Sequence, residues 1–234
     1  LNGGLGNQLY IIAAGKELAE KFGLKLIIET SIFNNYKLHN ITYNKLLKDI
    51  VSVDKSLKLN GKSIFKLKKG IYFGIEEKKQ GFDPLIYQKL NQINPLFNYY
   101  LKGYFQSLKY FKNQIPFLKK EIKKNILLEN INLKNKLIKS TLEETLSIHI
   151  RRKDKLTKTN KQIYGSINIR EIYNIIDFCN LKNRYKNILL IGDDDEFIEK
   201  VKKENRSKFP FLTTYDLCKE KSITNDFYFL MNSK

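Results

Sequence analysis

The segment "LSIHIRRKDKL" (146–156) sets the fold expected for the second half of the chain. Apolar and polar residues alternate over 146–150, and this two-residue period predicts a half-buried β-strand. The same alternation places His149 and Arg151 on one face, side by side where the strand ends. Charged residues follow the strand at once, so the segment is either a solvated turn or a site for an anion.

Strands and helices alternate after this strand. Helical spacing of apolar residues predicts a helix over 169–180, opened by a capping box at 168–171. Short strands are predicted at 187–191 and 211–216, with a helix capped by Asp195 between them. The order strand, helix, strand, helix, strand implies a parallel sheet with helices on both faces.

The first half shows a less regular pattern. A glycine turn in "LNGGLGNQLY" (1–10) leads into a predicted helix that Gly23 ends, and a short strand follows at 24–30. Residues 98–111 are predicted to begin as an aromatic strand and to continue as a turn or helix. One or two amphipathic helices over 117–139 are expected to join two domains.

Composition narrows the classes of protein that are expected. Of the 234 residues, 42% are hydrophobic, which is enough for a packed core. Two cysteines and two histidines argue against a disulfide scaffold, a cysteine-based zinc site and a histidine-rich metal site. The net charge of +19 attracts nucleic acid, anionic membranes or phosphorylated ligands. However, the lysines are scattered along the chain, which favours a compositional bias over a basic patch.

Neither a membrane span nor a signal peptide is visible. No apolar run reaches the roughly 20 residues that a membrane-spanning helix needs. The protein is therefore expected in the cytoplasm, with a peripheral contact on the anionic inner face of the membrane as a further expectation. The chain starts at Leu1 inside a glycine turn rather than at Met, so its natural start is expected upstream.

Two features suit a phosphorylated ligand. In open α/β sheets, ligands bind beyond the carboxyl ends of the strands, and an arginine fork there can hold a phosphate through two hydrogen bonds. Gly3, Gly4 and Gly6 open a helix whose exposed N–H groups favour an anion or a polar sugar. Each feature has a plain structural alternative: an ion pair between Arg152 and Asp154 in a surface loop, and a tight turn without a ligand.

Three carboxylates follow the predicted strand in "LLIGDDD" (189–195). A carboxylate at this position can accept hydrogen bonds from ribose hydroxyls or from the N–H groups of guanine. Asp193 and Asp195 also form the D-x-D pattern that holds a divalent ion in metal-dependent sugar transferases. Helix capping accounts for one of the three carboxylates without any function.

Four segments match, in order, the motifs of one enzyme family. "LNGGLGNQLY" (1–10) is similar to a Gly-Gly-Leu-Gly-Asn-Gln-Leu-aromatic signature, and "GYFQSLKYF" (103–111) to a Gly-Tyr-aromatic-Gln-Ser-x-Lys-Tyr-Phe motif. "HIRRKD" (149–154) is similar to His-x-Arg-Arg-x-Asp, and "LIGDDD" (190–195) to a Phe-Ser-Asp-Asp segment. With these motifs the chain resembles the α-1,2-fucosyltransferases of glycosyltransferase family 11, of the bacterial lipopolysaccharide and capsule type.

The resemblance implies an α/β fold of the GT-B type, with two Rossmann-like lobes, parallel sheets and a cleft between the lobes. Residues 1–125 would form the acceptor-side lobe, and residues 126–234 the GDP-fucose-binding lobe. The implied reaction moves L-fucose from GDP-fucose to O2 of a galactose with inversion, and needs no metal or other cofactor. The implied partners are GDP-fucose and a galactose-containing oligosaccharide of a bacterial surface glycan, and no nucleic acid is expected.

The resemblance also implies roles for individual residues. Arg151 matches the arginine expected to stabilise the β-phosphate of the leaving GDP, and His149 is expected to contact the nucleotide. Arg152 is expected to brace the loop or add a second phosphate contact. Asp154 is expected to hold Arg152 or to act as the base for the acceptor hydroxyl. The other residues expected to contact the donor are Asp193 and Asp194 at the guanine or ribose and, from the first lobe, Gly4, Gly6, Asn7 and Gln8.

Departures from the family pattern keep alternatives open. Lys153 and Lys155 flank Asp154, an order also found in α-1,6-fucosyltransferases and nodulation fucosyltransferases, so an α-1,6-type or other GDP-sugar transferase is one alternative. A metal-dependent sugar transferase and a basic nucleic-acid-binding module are two others. "DFYFLMNSK" (226–234) resembles the approach to the family's Asn-Ser-x-Phe-Ser-Trp-Trp motif. The second lobe is therefore expected to be C-terminally incomplete, and a truncated relative that only binds carbohydrate is a further alternative.

Overall fold

The computed structural model shows two compact units, Leu1–Asn125 and Ile126–Lys234. Both contain helices and parallel strand pairs, so the expected α/β class with parallel sheets is confirmed. The acceptor-side and donor-side roles and the cleft stay predictions. The residues that the structure describes are 3–30, 41, 43–47, 52–53, 64–67, 70–79, 81–129, 136–153, 167–180, 185–204, 210–218 and 221–233.

The first unit begins with helix α1 (Leu5–Phe22). It ends as the sequence predicts: Gly23 takes the left-handed conformation, with φ of 64°, and its N–H donates to Ala19 O. The strand predicted at 24–30 is shorter than expected, since only β1 (Ile27–Ile28) pairs, in parallel, with β2 (Ser52–Val53).

The first unit also contains a mixed sheet of three strands. It contains β3 (Ile64–Leu67), β4 (Gly70–Glu76) and β5 (Asn98–Lys102), and helix α2 (Pro84–Asn91) lies between β4 and β5 in the chain. β4 and β5 are parallel, but β3 and β4 are antiparallel, which an all-parallel Rossmann-like lobe would not contain. Only two residues separate β3 from β4, and a connection this short can join only antiparallel strands.

Two helices occupy the region for which one or two amphipathic helices are predicted. They are α3 (Ile115–Glu129) and α4 (Lys136–Glu143). The boundary between the two units falls within α3. Near that boundary the buried Asn125 side chain donates to Leu46 O at 2.8 Å, which satisfies its amide inside the first unit.

The second unit contains the parallel sheet that the sequence predicts. β7 (Asn187–Gly192) is central, with β6 (Thr145–Ile150) on one side and β8 (Phe211–Thr213) on the other. Apolar side chains of the sheet and of two helices form one buried core, which excludes water from the strands that carry the site. Its members are Leu146, Ile148, Ile150, Ile172, Ile176, Ile188, Leu190, Phe197, Ile198, Val201 and Phe211.

After β6, the described part of the chain contains the helices α5 (Ile169–Asn180), α6 (Asp195–Lys203), α7 (Thr214–Leu217) and α8 (Ile223–Asn232). The predicted capping box at the start of α5 is confirmed. Asn168 N donates to Glu171 Oε2 at 2.7 Å, and Glu171 N donates to Asn168 Oδ1 at 3.0 Å.

Two predicted boundaries in the second unit are wrong. The N-cap of α6 is Asp194, not Asp195, because Asp194 Oδ1 accepts from Phe197 N at 3.2 Å. The strand predicted over 211–216 ends at Thr213. There a capping box between Thr213 and Asp216 starts a helix instead.

The close approach of two strands explains a glycine at the end of β7. A Cβ on Gly192 would lie 2.1 Å from Ile150 O, a backbone atom that cannot move alone. We expect Gly192→Ala to lower the free energy of unfolding by at least about 2 kcal/mol in urea denaturation. Gly6→Ala is the control. Gly6 has open space around it, and alanine in a helix changes stability by only about 0.5–1 kcal/mol, in the stabilising direction. Equal stability of Gly192→Ala and wild type would contradict this account of the strand contact.

Candidate active site

Charged side chains gather where β6 and β7 end. His149 and Arg151 are exposed there, as the alternation along β6 predicts. The turn after β6 is fixed from β7: Asp193 Oδ1 accepts from Arg152 N at 2.7 Å and from Lys153 N at 3.2 Å. The carboxylate thus stabilises the backbone that directly follows Arg151.

The second arginine turns inward, and two contacts hold its side chain. Arg152 Nη1 lies 2.5 Å from Asp194 Oδ2, and the guanidinium carbon of Arg152 lies 4.3 Å from the centre of the Phe197 ring. Asp194 is only 7% exposed and also caps α6. The two arginines therefore differ in exposure: Arg151 is exposed, whereas Arg152 is half-buried and pairs with Asp194.

These contacts change the roles predicted for two carboxylates. Arg152 was expected to pair with Asp154, which lies outside the described residues; the described carboxylate that pairs with Arg152 is Asp194. Both oxygens of Asp194 accept hydrogen bonds from within the protein. The geometry therefore supports a positioning role for Asp194 rather than the predicted contact with guanine or ribose. Asp193 is exposed, and its predicted contact with the donor stays a prediction.

A groove of about 800 Å³ opens beside Arg152, between the starts of α5 and α6. This volume is in the range of small-molecule sites, roughly 300–1,000 Å³. Cations outnumber carboxylates along its walls, which suits an anionic ligand. The charged lining residues are Arg152, Lys153, Arg170, Lys200, Asp194 and Glu196.

A second cluster at the same end of the sheet has no counterpart among the predicted residues. Lys221 Nζ donates to Gly192 O at 2.6 Å and forms an ion pair with Asp195. In the first turn of α8, Asp226 accepts from Thr214 Oγ1 at 2.5 Å. These contacts connect the ends of β7 and β8 with α8. They join residues that are far apart in the chain, and no spacing in the sequence announces such a cluster.

The carboxyl group of Asp226 is in an unfavourable place for a charge. Burial raises the pKa of Asp226 above its ordinary value of 3.8, although Thr214, Lys221 and His149 act in the opposite direction. Asp195 adds to the upward shift of this pKa. Groups whose pKa is shifted by burial occur often at functional sites, so Asp226 is a candidate site residue.

Replacing Asp226 tests this interpretation through the pH dependence of stability. The folded state favours the protonated carboxyl of Asp226. The free energy of unfolding of the wild type therefore falls as pH rises from 3.8 through the raised pKa that this group has in the folded state. Asp226→Asn still accepts from Thr214, so we expect it to be more stable than wild type above that window and equal to it below. Urea denaturation across the pH range measures the difference, with the exposed Asp177→Asn as control. Lower stability of Asp226→Asn at neutral pH would contradict the expectation.

The D-x-D residues have partners other than a metal. Asp193 accepts from two backbone N–H groups, and Asp195 pairs with Lys221. In the part of the chain that the structure describes, no group of three or more His, Cys, Asp or Glu residues is placed to hold a metal ion.

In the first unit, a hydrogen bond connects two of the motifs noted in the sequence. Gln106 Nε2 donates to Asn7 Oδ1 at 2.6 Å, which joins the loop after β5 to the start of α1. Gly4 is the N-cap of α1 and Gly6 lies exposed in its first turn. Gln8, in contrast, is fully buried: its amide donates to Gly3 O at 2.8 Å and accepts from a backbone N–H. Its predicted contact with the donor is therefore replaced by a role in holding the glycine turn.

Glu77 fixes the loop that carries Gln106. Its Oε2 accepts from Tyr104 N at 3.0 Å and from Phe105 N at 2.6 Å. Phe105 is fully buried and has φ of 51°, a left-handed conformation that is rare outside glycine and needs such support. Gly103 leaves room for this contact, since a Cβ there would lie 2.6 Å from Glu77 Cβ. Sequence reasoning missed Glu77, which lies 28 positions from Phe105.

No helix among the residues that the structure describes is long and apolar enough to cross a membrane.

Comparison with known proteins gives one match. The family model described as glycosyl transferase family 11 matches residues 8–234, essentially the whole chain. No curated protein and no solved structure matches the chain.

Proposed function

The chain belongs to glycosyl transferase family 11, a fucosyltransferase family, and from this premise we propose that it moves L-fucose from GDP-fucose to O2 of a galactose with inversion. Family membership establishes a glycosyltransferase that uses a nucleotide-sugar donor and a glycan acceptor. The donor, the galactose and the α-1,2 linkage are our proposal. We further propose that the acceptor is a bacterial surface glycan of the lipopolysaccharide or capsule type.

The observation that carries the proposal is the pair of arginines after β6. Arg151 is exposed where ligands of α/β sheets bind, while Arg152 and Asp194 hold the loop from inside. In the transfer, the acceptor oxygen bonds to C1 of fucose as the bond from C1 to the β-phosphate oxygen breaks. Negative charge builds on GDP, and a preorganised guanidinium stabilises it. We assign this role to Arg151 and a contact with the nucleotide to His149.

The acceptor hydroxyl must also lose a proton. Because Asp194 already pairs with Arg152, Asp154 is not required as the brace of that arginine. We therefore propose Asp154 as the base that receives the proton. The cationic groove between α5 and α6 is the proposed place of the nucleoside part of GDP, because its volume suits such a ligand; its lining includes Arg152 and Lys153 but not Arg151.

A transfer assay tests the proposal against its alternatives. Radiolabelled GDP-fucose, GDP-mannose and UDP-galactose are each incubated with lactose, and nuclear magnetic resonance identifies the linkage in the product. We expect transfer from GDP-fucose alone, an α-1,2 linkage, and equal rates with and without EDTA. A 1,6 linkage would contradict the proposed linkage, and transfer from another donor would contradict the proposed donor. Loss of activity in EDTA would favour the metal-dependent alternative. Salt-sensitive RNA binding without affinity for GDP would favour the nucleic-acid-binding module.

We also propose that the protein works in the cytoplasm, on the inner face of the membrane. The net charge of +19 complements anionic lipids, which lie on that face. Co-sedimentation with phosphatidylglycerol vesicles at low salt, and not with phosphatidylcholine vesicles, is the expected result.

A further inference from the structure

A groove of about 750 Å³ in the first unit lies at the C-terminal end of α1. Its other walls are α2 and two short 3₁₀ turns, Leu108–Tyr110 and Lys112–Gln114. The first of these turns belongs to the "GYFQSLKYF" motif, whose Gln106 contacts Asn7 on the side of the glycine turn. The end of the motif that lines the groove has no part in the proposed transfer.

Three aromatic rings form one wall of the groove. The centre of the Phe82 ring lies 5.4 Å from those of Tyr87 and Tyr110, and Tyr87 and Tyr110 are 6.4 Å apart. Tyr110 is fixed because its hydroxyl accepts from Asp83 N at 2.8 Å. Tyr87 is 39% exposed, so part of its ring is open to a ligand. The wall is therefore a rigid apolar surface with one accessible ring.

Polar groups surround the aromatic wall. Lys109 Nζ lies 4.5 Å from the centre of the Phe82 ring, and Lys112 is exposed on the neighbouring turn. Asn113 Nδ2 donates to Glu17 Oε1 at 2.6 Å, so an amide and a carboxylate also line the groove. Donors and acceptors thus both lie beside the rings. Hydroxyl groups, which both donate and accept, complement such a rim better than a purely anionic or purely apolar ligand does.

The groove is well separated from the glycine turn. Helix α1 rises about 1.5 Å per residue, so its C-terminal turns lie roughly 25 Å from Gly4. The groove also differs in charge from the cationic groove of the second unit, since Glu17 and Glu20 stand beside its lysines. With three lysines and two glutamates, this groove is less cationic than the groove of the second unit and suits a phosphate less well.

We propose that this groove is a second carbohydrate-binding site. It would take a neutral sugar ring, with C–H groups against Tyr87 and hydroxyls on Lys109 and Asn113. Sugar binding at this groove does not depend on the transfer reaction, but the role given to it next rests on the proposed function. A site of this kind holds a part of a glycan that is remote from the galactose that receives fucose, which raises the effective concentration of the chain end near the enzyme.

The absence of tryptophan from the sequence gives a direct local test. Tyr87→Trp puts the only indole of the protein on the groove wall, and Tyr215→Trp puts it on an exposed position of α7 as the matched control. Each variant is titrated with lactose and with the tetrasaccharide lacto-N-neotetraose, without any nucleotide. We expect a saturable change of emission for Tyr87→Trp only, with a dissociation constant on the order of 1 mM. No saturable change, or the same change in both variants, would overturn the proposal.

Removal of the contacts is measured in a second step by saturation-transfer nuclear magnetic resonance with the same sugars. GDP stays absent, so the failure of this site and the failure of the fucosyltransferase assay are separate results. We expect Tyr87→Ala and Lys109→Ala to bind at least about fivefold more weakly than wild type, with unchanged thermal unfolding. Tyr87→Phe keeps the ring and should retain binding. Wild-type affinity in Tyr87→Ala would overturn the proposal.

Discussion

Replacement of Arg151 by alanine is expected to lower kcat for fucose transfer about a hundredfold or more, as the loss of one preorganised donor to a developing anion typically does. The exposed guanidinium is the group that we assign to the β-phosphate, where charge grows only as the donor breaks. The free energy of unfolding should change by less than about 0.5 kcal/mol, because the side chain is at the surface. The measurements are initial rates at saturating GDP-fucose and urea denaturation.

Two further variants separate position from charge. Lys186→Ala removes an exposed cation at the other end of the sheet, beside the start of β7, and should leave kcat unchanged. Arg151→Lys keeps the charge but loses the planar fork, so its rate should lie between wild type and Arg151→Ala. A wild-type rate in Arg151→Ala would show that Arg151 does not stabilise the leaving group.

Replacement of Arg152 by alanine is expected to act first on stability. It leaves the carboxylate of Asp194 buried, with the backbone N–H of Phe197 as its described hydrogen-bond partner. An uncompensated buried charge is costly, and we expect a loss of about 2–4 kcal/mol in the free energy of unfolding. Fucose transfer should also fall, since the loop that presents Arg151 loses its anchor.

A double-mutant cycle identifies the source of that loss. Asp194→Asn can still cap α6 but needs no cation, so Arg152→Ala combined with Asp194→Asn should be more stable than the sum of the single effects predicts. Additive effects would show that the two side chains do not stabilise each other.

The dependence of the free energy of unfolding on pH is a second measurement of the same contact. Burial alone would raise the pKa of Asp194, but hydrogen bonds from Arg152 and Phe197 outweigh it and hold this pKa below 3.8. The ionised Asp194 therefore stabilises the folded state above pH 3.8, and this contribution is lost as pH falls through the lowered pKa.

Local patterns in the sequence predicted the fold of the second unit well. The alternation along β6 and the capping box of Asn168 and Glu171 depend on residues within one or two turns, so neighbouring letters contain the information. The N-cap of α6 is a feature that neighbouring residues in the sequence do not determine. Asp194 and Asp195 are equally good caps by type, and the choice of Asp194 coincides with its contact to Arg152, 42 positions away.

The candidate site needed the structure for the same reason. Gln8, Glu77 and Lys221 each have a partner 26 to 35 positions away in the chain, and nothing in the letters around them indicates those contacts. The family motifs pointed to Arg151, which is exposed at the carboxyl end of β6, and to Asn7, which accepts from Gln106 Nε2; their contacts with the donor stay predictions. They could not distinguish residues that touch a ligand from those, such as Gln8 and Asp194, that support them from inside.

Calorimetric titration with GDP, on wild type and on Arg151→Ala, tests the central claim most directly. Wild type is expected to bind GDP with a dissociation constant on the order of micromolar. Arg151→Ala should lose most of this affinity, while Lys186→Ala should bind as wild type does. Equal affinity of Arg151→Ala and wild type would contradict the placement of the GDP β-phosphate against Arg151.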